Sequence, residues 1–153
     1  MTEESETSDA IAVYEGGCHC GAIRIQFAPS VPADALPLRE CACAFCRRHG
    51  ATTAADRNGR LHITLVKVSE AVRYRFGART ADFLLCGTCG VYVAAVLSTE
   101  AGAVSTLNVN VLDQRGEFAS TPEPVSYEDE TPHERRLRRA EQWTITTVDV
   151  VKS

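Results

Sequence analysis

The cysteines of this chain lie in three short groups, and each group has a spacing that suits metal binding. The 153 residues contain 7 cysteines. They are Cys18 and Cys20 in GGCHCGA, Cys41, Cys43 and Cys46 in CACAFC, and Cys86 and Cys89 in CGTCG. Thiolates are preferred ligands of zinc, and ligands two or three positions apart in a chain readily converge on one ion. The sequence therefore predicts metal sites in which every cysteine takes part.

The number of ligands divides these cysteines into two centres. The two pairs together supply four thiolates, which is the ligand set of a closed, structural zinc site. The triplet supplies three, and zinc held by three side chains keeps a fourth position open for water or substrate, as catalytic zinc does. We therefore predict two zinc ions per chain, one structural and one catalytic. One alternative is a different division of the cysteines, in which a member of the triplet completes a four-thiolate site. Another is a dithiol redox role for Cys86 and Cys89.

Composition and charge indicate a globular domain in the cytoplasm. Hydrophobic residues make up 44% of the chain and charged residues 24%. The start, MTEESETSDA, is acidic and polar, whereas a secretory signal has a basic and then an apolar region. Apolar runs such as VYVAAVL are too short to span a bilayer, so we expect no membrane association. The net charge of −4 argues against nucleic acid as a partner.

The elements that must position the cysteines are mostly strands. β-Branched residues recur at period two in residues 22–27, 61–68 and 71–76. Further strand candidates are ADFLLC, VYVAAVL, AVSTLNVNV and WTITTVDVV. We expect residues 1–10 to form a disordered acidic tail and residues 11–153 a single, mainly β domain.

One segment near the C-terminus has the signals of a helix. In TPHERRLRRAEQ, Thr131 can act as N-cap, Pro132 occupies the first helical position and Glu134 can bond back to the cap. The arginines of this short helix are interpreted as a solvated face, because glutamates lie among them.

Three motifs together resemble the glutathione-dependent formaldehyde-activating enzyme family, also called the centromere-protein-V/GFA family. They are G-x-C-x-C-G-A, C-x-C-x-x-C-R-R and F-x-x-C-x-x-C-G, and the resemblance covers roughly residues 14–113. It implies a β fold similar to the Mss4-like zinc proteins, with a structural zinc on the two cysteine pairs and a catalytic zinc on the triplet. It also implies a carbon–sulfur lyase similar to S-(hydroxymethyl)glutathione synthase, which joins a small thiol such as glutathione to formaldehyde.

The residues that follow the triplet are candidates for binding that substrate. Arg47 and Arg48 could hold the carboxylates of glutathione, and His49 could relay a proton because its ordinary pKa is near neutrality. An exposed basic turn is the alternative interpretation. Many family members have a histidine and a serine where this chain has Ala42 and Ala44, so another small thiol is an alternative to glutathione.

Further residues at strand spacing are expected in the core or on a sheet face. Four aromatic residues are predicted to be core: Tyr74, Phe76, Phe83 and Tyr92. Asn108 and Asn110 alternate with valines, which predicts that they share one face of a strand.

A non-catalytic protein is the competing functional hypothesis. A zinc-stabilised β scaffold could bind a protein or nucleic-acid partner, as the family's chromosome-associated members suggest. Such members are expected to carry long basic extensions, whereas this chain has only a short acidic tail. The sequence therefore favours the enzyme, and its sheet edges permit a homodimer.

Overall fold

The computed structural model of the protein describes residues 12–76 and 81–151. The strands are β1 (Tyr14–Gly17), β2 (Ile23–Ala28), β3 (Arg39–Cys41), β4 (Thr53–Ala54), β5 (Arg60–Leu65), β6 (Ala71–Tyr74), β7 (Asp82–Cys86), β8 (Tyr92–Thr99), β9 (Gly102–Asn108), β10 (Glu123–Val125) and β11 (Thr144–Val150). The helices of these residues are α1 (Ala44–His49) and α2 (Pro132–Gln142). The prediction of a mainly β fold with a short C-terminal helix is confirmed. The predicted acidic tail lies outside the described residues.

Strand β9 is the branch point of the sheet. Strand β8 pairs with one edge of β9, while β11 and β4 share the other edge, all of them antiparallel to it. From β11 the sheet continues through β5 and β2 to β1, and from β4 it continues through β3 to β10. Strands β7 and β6 extend it beyond β8. The three cysteine groups therefore start from different parts of one sheet.

Two predicted strands end three residues earlier in the structure than in the sequence interpretation. The segment 61–68 is a strand only to Leu65, and a 3₁₀ turn over Val68–Glu70 follows it. The segment 103–111 is a strand only to Asn108, because the Asn108 side chain accepts a hydrogen bond of 3.2 Å from the Asn110 amide and starts a 3₁₀ turn. The prediction that Asn108 and Asn110 share one strand face is therefore wrong.

Strands β7 and β8 separate two hydrophobic cores. The first core is built by alternate residues of β2 and β5: Ile23, Ile25, Phe27, Leu61 and Ile63. The second contains Phe83, Tyr92, Leu97 and Trp143. Along β7, Leu84 and Cys86 join the first core, while Phe83 and Leu85 pack in the second, as the period-two geometry of a strand requires. Each face of these strands therefore meets a different cysteine group.

Helix α2 has the N-terminal cap that its sequence predicts. The Thr131 hydroxyl accepts a hydrogen bond of 3.1 Å from the Glu134 amide, and the Thr131 amide donates one of 2.8 Å to the Glu134 carboxylate. Pro132 begins the helix, and the buried Trp143 follows its last residue. The helix packs against β8 and β9. Neither helix of the described residues is both long and apolar enough to cross a membrane.

Replacing Thr131 with alanine is expected to lower the free energy of unfolding by about 1 kcal/mol, because a helix N-cap is lost. Urea unfolding measures this difference. Thr131→Ser is the matched control, since serine keeps the hydroxyl, and it should unfold like the original protein. Equal stability of the alanine and serine variants would show that the cap contributes nothing.

Candidate active site

The sulfur atoms of the two cysteine pairs converge on one point at the first core. The Sγ atoms of Cys18 and Cys20 are 3.8 Å apart, and those of Cys20 and Cys86 are 3.5 Å apart. All four sulfurs, including that of Cys89, lie within 4.8 Å of one another. Sulfurs at about 2.3 Å from a tetrahedral zinc lie about 3.8 Å from each other. The spacing of these thiols therefore fits a zinc ion, and all of them are free of disulfide bonds.

Backbone amides and glycines shape the turns that present these sulfurs. The Cys89 amide donates to the Cys86 sulfur at 3.4 Å, and the Ile23 amide donates to the Cys18 sulfur at 3.3 Å. Such bonds stabilise thiolate charge. The glycines that end the two turns, Gly21 and Gly90, have φ of +86° and +81°, a conformation that favours glycine. The turns are therefore built to hold charged sulfur.

The triplet forms a second group of sulfurs, on the other side of β7 and β8. Cys41 ends β3, Cys43 precedes α1 and Cys46 lies in the first turn of α1. Their Sγ atoms all lie within 4.8 Å of one another. Cys46 is buried in the second core, and Cys41 and Cys43 pack against it. The structure therefore brings together the three residues that the sequence proposed as one centre.

Helix α1 itself was not predicted, and it is the element that closes the triplet. The Cys43 sulfur accepts a hydrogen bond of 3.3 Å from the Cys46 amide and so caps the helix. Gly50 ends it with a φ of +60°. The helix has 6 residues and its N-cap is Cys43, a residue type outside the usual set of capping residues, so local sequence signals are weak.

The three thiols of the triplet share their protons unequally. Hydrogen bonds from the Cys41 and Cys46 thiols lower the pKa of Cys43 to about 2. The same contacts with Cys41 and Cys43 raise the pKa of Cys46. Cys43 is therefore the first of these thiols to lose its proton. The three sulfur atoms together form a donor set suited to a thiophilic cation such as zinc.

The triplet opens into a cavity of about 220 Å³. Its lining includes the three cysteines and the aromatic residues Phe76, Phe83 and Tyr92. Another part of the wall is basic, because Arg39 of β3 and three arginines of α2 also line the cavity, namely Arg135, Arg138 and Arg139. The cavity therefore combines soft ligands, apolar surface and positive charge.

Several of these arginines are held in place by neighbouring groups. Arg138 donates to the Glu130 carboxylate at 2.7 Å and 3.0 Å, and it lies 3.6 Å above the Tyr127 ring. Arg139 lies 4.9 Å from the Trp143 ring centre. Burial, followed by repulsion from the other arginines of α2, lowers the pKa of Arg139 to about 10. Arg139 therefore remains positively charged at neutral pH.

The basic residues that the sequence proposed for substrate binding lie outside the triplet's cavity. Arg47, Arg48 and His49 are exposed in the last turn of α1, outside the lining of the triplet's cavity. Positive side chains there complement the helix dipole. The His49 ring packs at 4.5 Å from that of Phe45 and at 5.6 Å from that of Tyr92.

Three arginines of α2 line the cavity, which the interpretation of this helix as a solvated face did not indicate. The spacing of these arginines in the sequence does indicate that they share one side of the helix. Arg135, Arg138 and Arg139 are three and four positions apart, which places them on one side of a helix, the side that leads to Trp143. Packing of that side against the sheet is a tertiary contact that composition does not indicate.

The aromatic residues predicted as core have two different environments. Phe83 and Tyr92 are buried, whereas Tyr74 is 48% exposed, so the core prediction is wrong for Tyr74. Phe45 of α1 was not identified from the sequence. Its ring lies at the centre of the cluster, 5.3 Å from Phe76 and 4.9 Å from both Phe83 and Tyr92. These rings hold α1, and hence the triplet, against β7 and β8.

Together, the fold and the cysteine geometry define a β-rich protein with two groups of thiols, each able to hold a metal ion. The model of the glutathione-dependent formaldehyde-activating enzyme family matches residues 13–127, and the chain belongs to this family. The chain is also similar to a protein of Rhodobacter sphaeroides whose crystal structure is known. The two are 28% identical with a TM-score of 0.52, over 72% of this chain and 99% of that one. The family match ends before α2.

Replacing Cys86 with serine is expected to lower the melting temperature more than replacing Cys46 does. Cys86 belongs to the group that joins two distant hairpins, whereas Cys46 joins only neighbouring elements. Loss of a metal present at about 1,000 times its Kd removes about 4 kcal/mol of stability. For a domain of this size that corresponds to a shift on the order of 10 °C. Thermal melting of both variants in a zinc-containing buffer measures the difference. Equal melting temperatures would contradict a structural role for Cys86.

Proposed function

We propose that this protein is a zinc-dependent carbon–sulfur lyase-type enzyme that forms and cleaves adducts of a small thiol and an aldehyde such as formaldehyde. The observation that carries the proposal is the triplet, whose three sulfurs converge at the wall of a cavity and are one ligand short of a closed tetrahedral set. Membership of the formaldehyde-activating family supports the choice of reaction.

The chemistry follows from the ligands. Cys41, Cys43 and Cys46 would hold the zinc ion, which would supply an open coordination position and lower the pKa of an incoming thiol. The thiolate sulfur adds to the carbonyl carbon. A C–S bond forms and the C=O double bond becomes a single bond, with its π electron pair moving to the oxygen. The proton lost by the thiol ends on the oxygen. The reverse reaction breaks the C–S bond and releases thiol and aldehyde.

The walls of the cavity favour a thiol that is small and carries a carboxylate. The volume of about 220 Å³ is below the roughly 300–1,000 Å³ of pockets for drug-sized ligands. Arg39 and Arg139 line the same cavity as the triplet, and charge-assisted hydrogen bonds from arginine select carboxylates. We propose that these cavity arginines take the role that the sequence assigned to Arg47 and Arg48. Glutathione, or a shorter thiol with a carboxylate, has the required groups.

Replacing Cys46 with serine should remove one zinc per chain and reduce adduct formation to the uncatalysed rate, while the fold is kept. Metal analysis and NMR with labelled formaldehyde measure the two effects. Thiols add to formaldehyde unaided, so the rate without enzyme is subtracted. Full activity in a variant that has lost that zinc would contradict the proposal. An original protein that never exceeds the uncatalysed rate with any thiol would instead favour the scaffold function.

Replacing Arg139 with methionine should raise KM for a carboxylate-bearing thiol by about tenfold or more, because a charge-assisted hydrogen bond worth about 1.5–3 kcal/mol is lost. KM for an uncharged thiol such as 2-mercaptoethanol should not change. Steady-state kinetics with both thiols measures the difference. Arg136→Met is the matched control, since Arg136 is exposed on the same helix and outside the cavity lining. Equal effects on the two thiols would argue against carboxylate recognition by Arg139.

A further inference from the structure

The hydroxyl of Tyr92 is a buried polar group that the fold leaves without a partner. Tyr92 begins β8, its side chain is only 2% exposed, and it lines the cavity together with the triplet. Among the described residues, its hydroxyl oxygen has no hydrogen-bond partner. A buried, unpaired hydroxyl costs on the order of 1–3 kcal/mol. A ligand that enters the cavity is the available source of that partner.

The ring of Tyr92 alone does not explain why tyrosine is present. It packs edge-on against Phe45 at 4.9 Å and near Phe83 at 5.9 Å, contacts that phenylalanine would make equally well. Phenylalanine at this position would also avoid the cost of the unpaired hydroxyl. The feature that distinguishes Tyr92 from a packing residue is therefore its O–H group.

Backbone contacts on both sides fix the position of Tyr92 in the sheet. The Asn108 side-chain amide donates a hydrogen bond of 2.9 Å to the Tyr92 carbonyl oxygen. Tyr92 is also paired with Leu85 of β7, next to the irregularity between Leu84 and Leu85. A residue fixed on both sides in this way presents its side chain with little freedom, which is the condition for preorganised catalysis.

The surroundings keep the hydroxyl protonated. Burial raises the pKa of Tyr92 well above its ordinary value, and negative charge on the triplet raises it further, while Arg139 acts weakly in the opposite direction. The group is therefore a hydrogen-bond donor at neutral pH. Tyr92 lines the same cavity as the triplet and Arg139.

The proposed reaction requires such a donor. A metal ion that carries three thiolates is a weak Lewis acid, because the ligands neutralise its charge. Polarisation of the aldehyde oxygen must therefore come from the protein. A neutral phenol in a water-poor wall can stabilise the charge that develops on that oxygen, and hydrogen bonds of this kind are strong in a site of low dielectric constant.

We propose that Tyr92 is a catalytic residue whose hydroxyl donates a hydrogen bond to the oxygen atom of the aldehyde and of its thiol adduct. This inference rests on the function proposed above. While the C–S bond forms, the electron pair of the opened C–O bond moves to the oxygen, which receives the proton that the thiol has lost. Tyr92 stabilises this oxygen and is neutral before and after the step. In the reverse direction it binds the hydroxyl of the adduct while the C–S bond breaks.

The test compares Tyr92→Phe with Tyr14→Phe. In the first variant kcat should fall on the order of 10²-fold, as it does when one donor to a developing oxyanion is removed. Bound zinc and KM for the thiol should not change, and the melting temperature should stay equal or rise because the unpaired hydroxyl is gone. Tyr14 packs on Phe118 in the first core and lies outside the cavity lining, so its variant should retain full kcat.

A second measurement changes the donor and keeps the packing. Fluorotyrosine incorporated at position 92 makes the phenol more acidic, so kcat should change there and should stay constant when the same group is placed at position 14. Unchanged kcat in Tyr92→Phe, or a loss of kcat that accompanies loss of zinc or an equal loss in Tyr14→Phe, would overturn the role of Tyr92. An original protein without activity above background would overturn the proposed function first, and the two failures are distinguished by the activity of the unsubstituted protein.

Discussion

The convergence of Cys20 and Cys86 is the contact on which the rest of the structure depends. These sulfurs lie 3.5 Å apart although 66 residues separate them in the chain, and they join the turn between β1 and β2 to the turn between β7 and β8. The contact fixes one face of β7. Because side chains of a strand alternate, the opposite face, which carries Phe83 and Leu85, is fixed as well. The four-cysteine group therefore determines where the wall of the cavity lies.

The two groups of thiols lie on opposite faces of β7 and β8. The closed group of four sulfurs belongs to the first core, and the triplet belongs to the second. The triplet forms within a short stretch of chain, and the aromatic rings around Phe45 press it against the sheet. A ligand can therefore reach the triplet's sulfurs through the cavity without disturbing the contacts that hold the two hairpins together.

The features that depend on local spacing could be predicted from the sequence. Grouped cysteines and the capping box at Thr131 are of this kind, because their geometry is set within a few residues. The rest depends on tertiary contacts. Helix α1 forms because the Cys43 sulfur caps it inside the site. The role of Arg139 follows from the packing of α2 on β8 and β9, and the isolation of the Tyr92 hydroxyl is visible only when its neighbours are known.

The position of α2 has a consequence for how the protein can vary. The family match ends at residue 127, and the helix that follows contributes most of the positive charge of the cavity wall. The sulfur ligands, in contrast, all lie within the matched residues. Most of the cavity's positive charge and the sulfur ligands thus reside in separable parts of the chain. A change confined to the C-terminal segment can therefore alter the charge of the cavity wall while the groups of thiols stay the same.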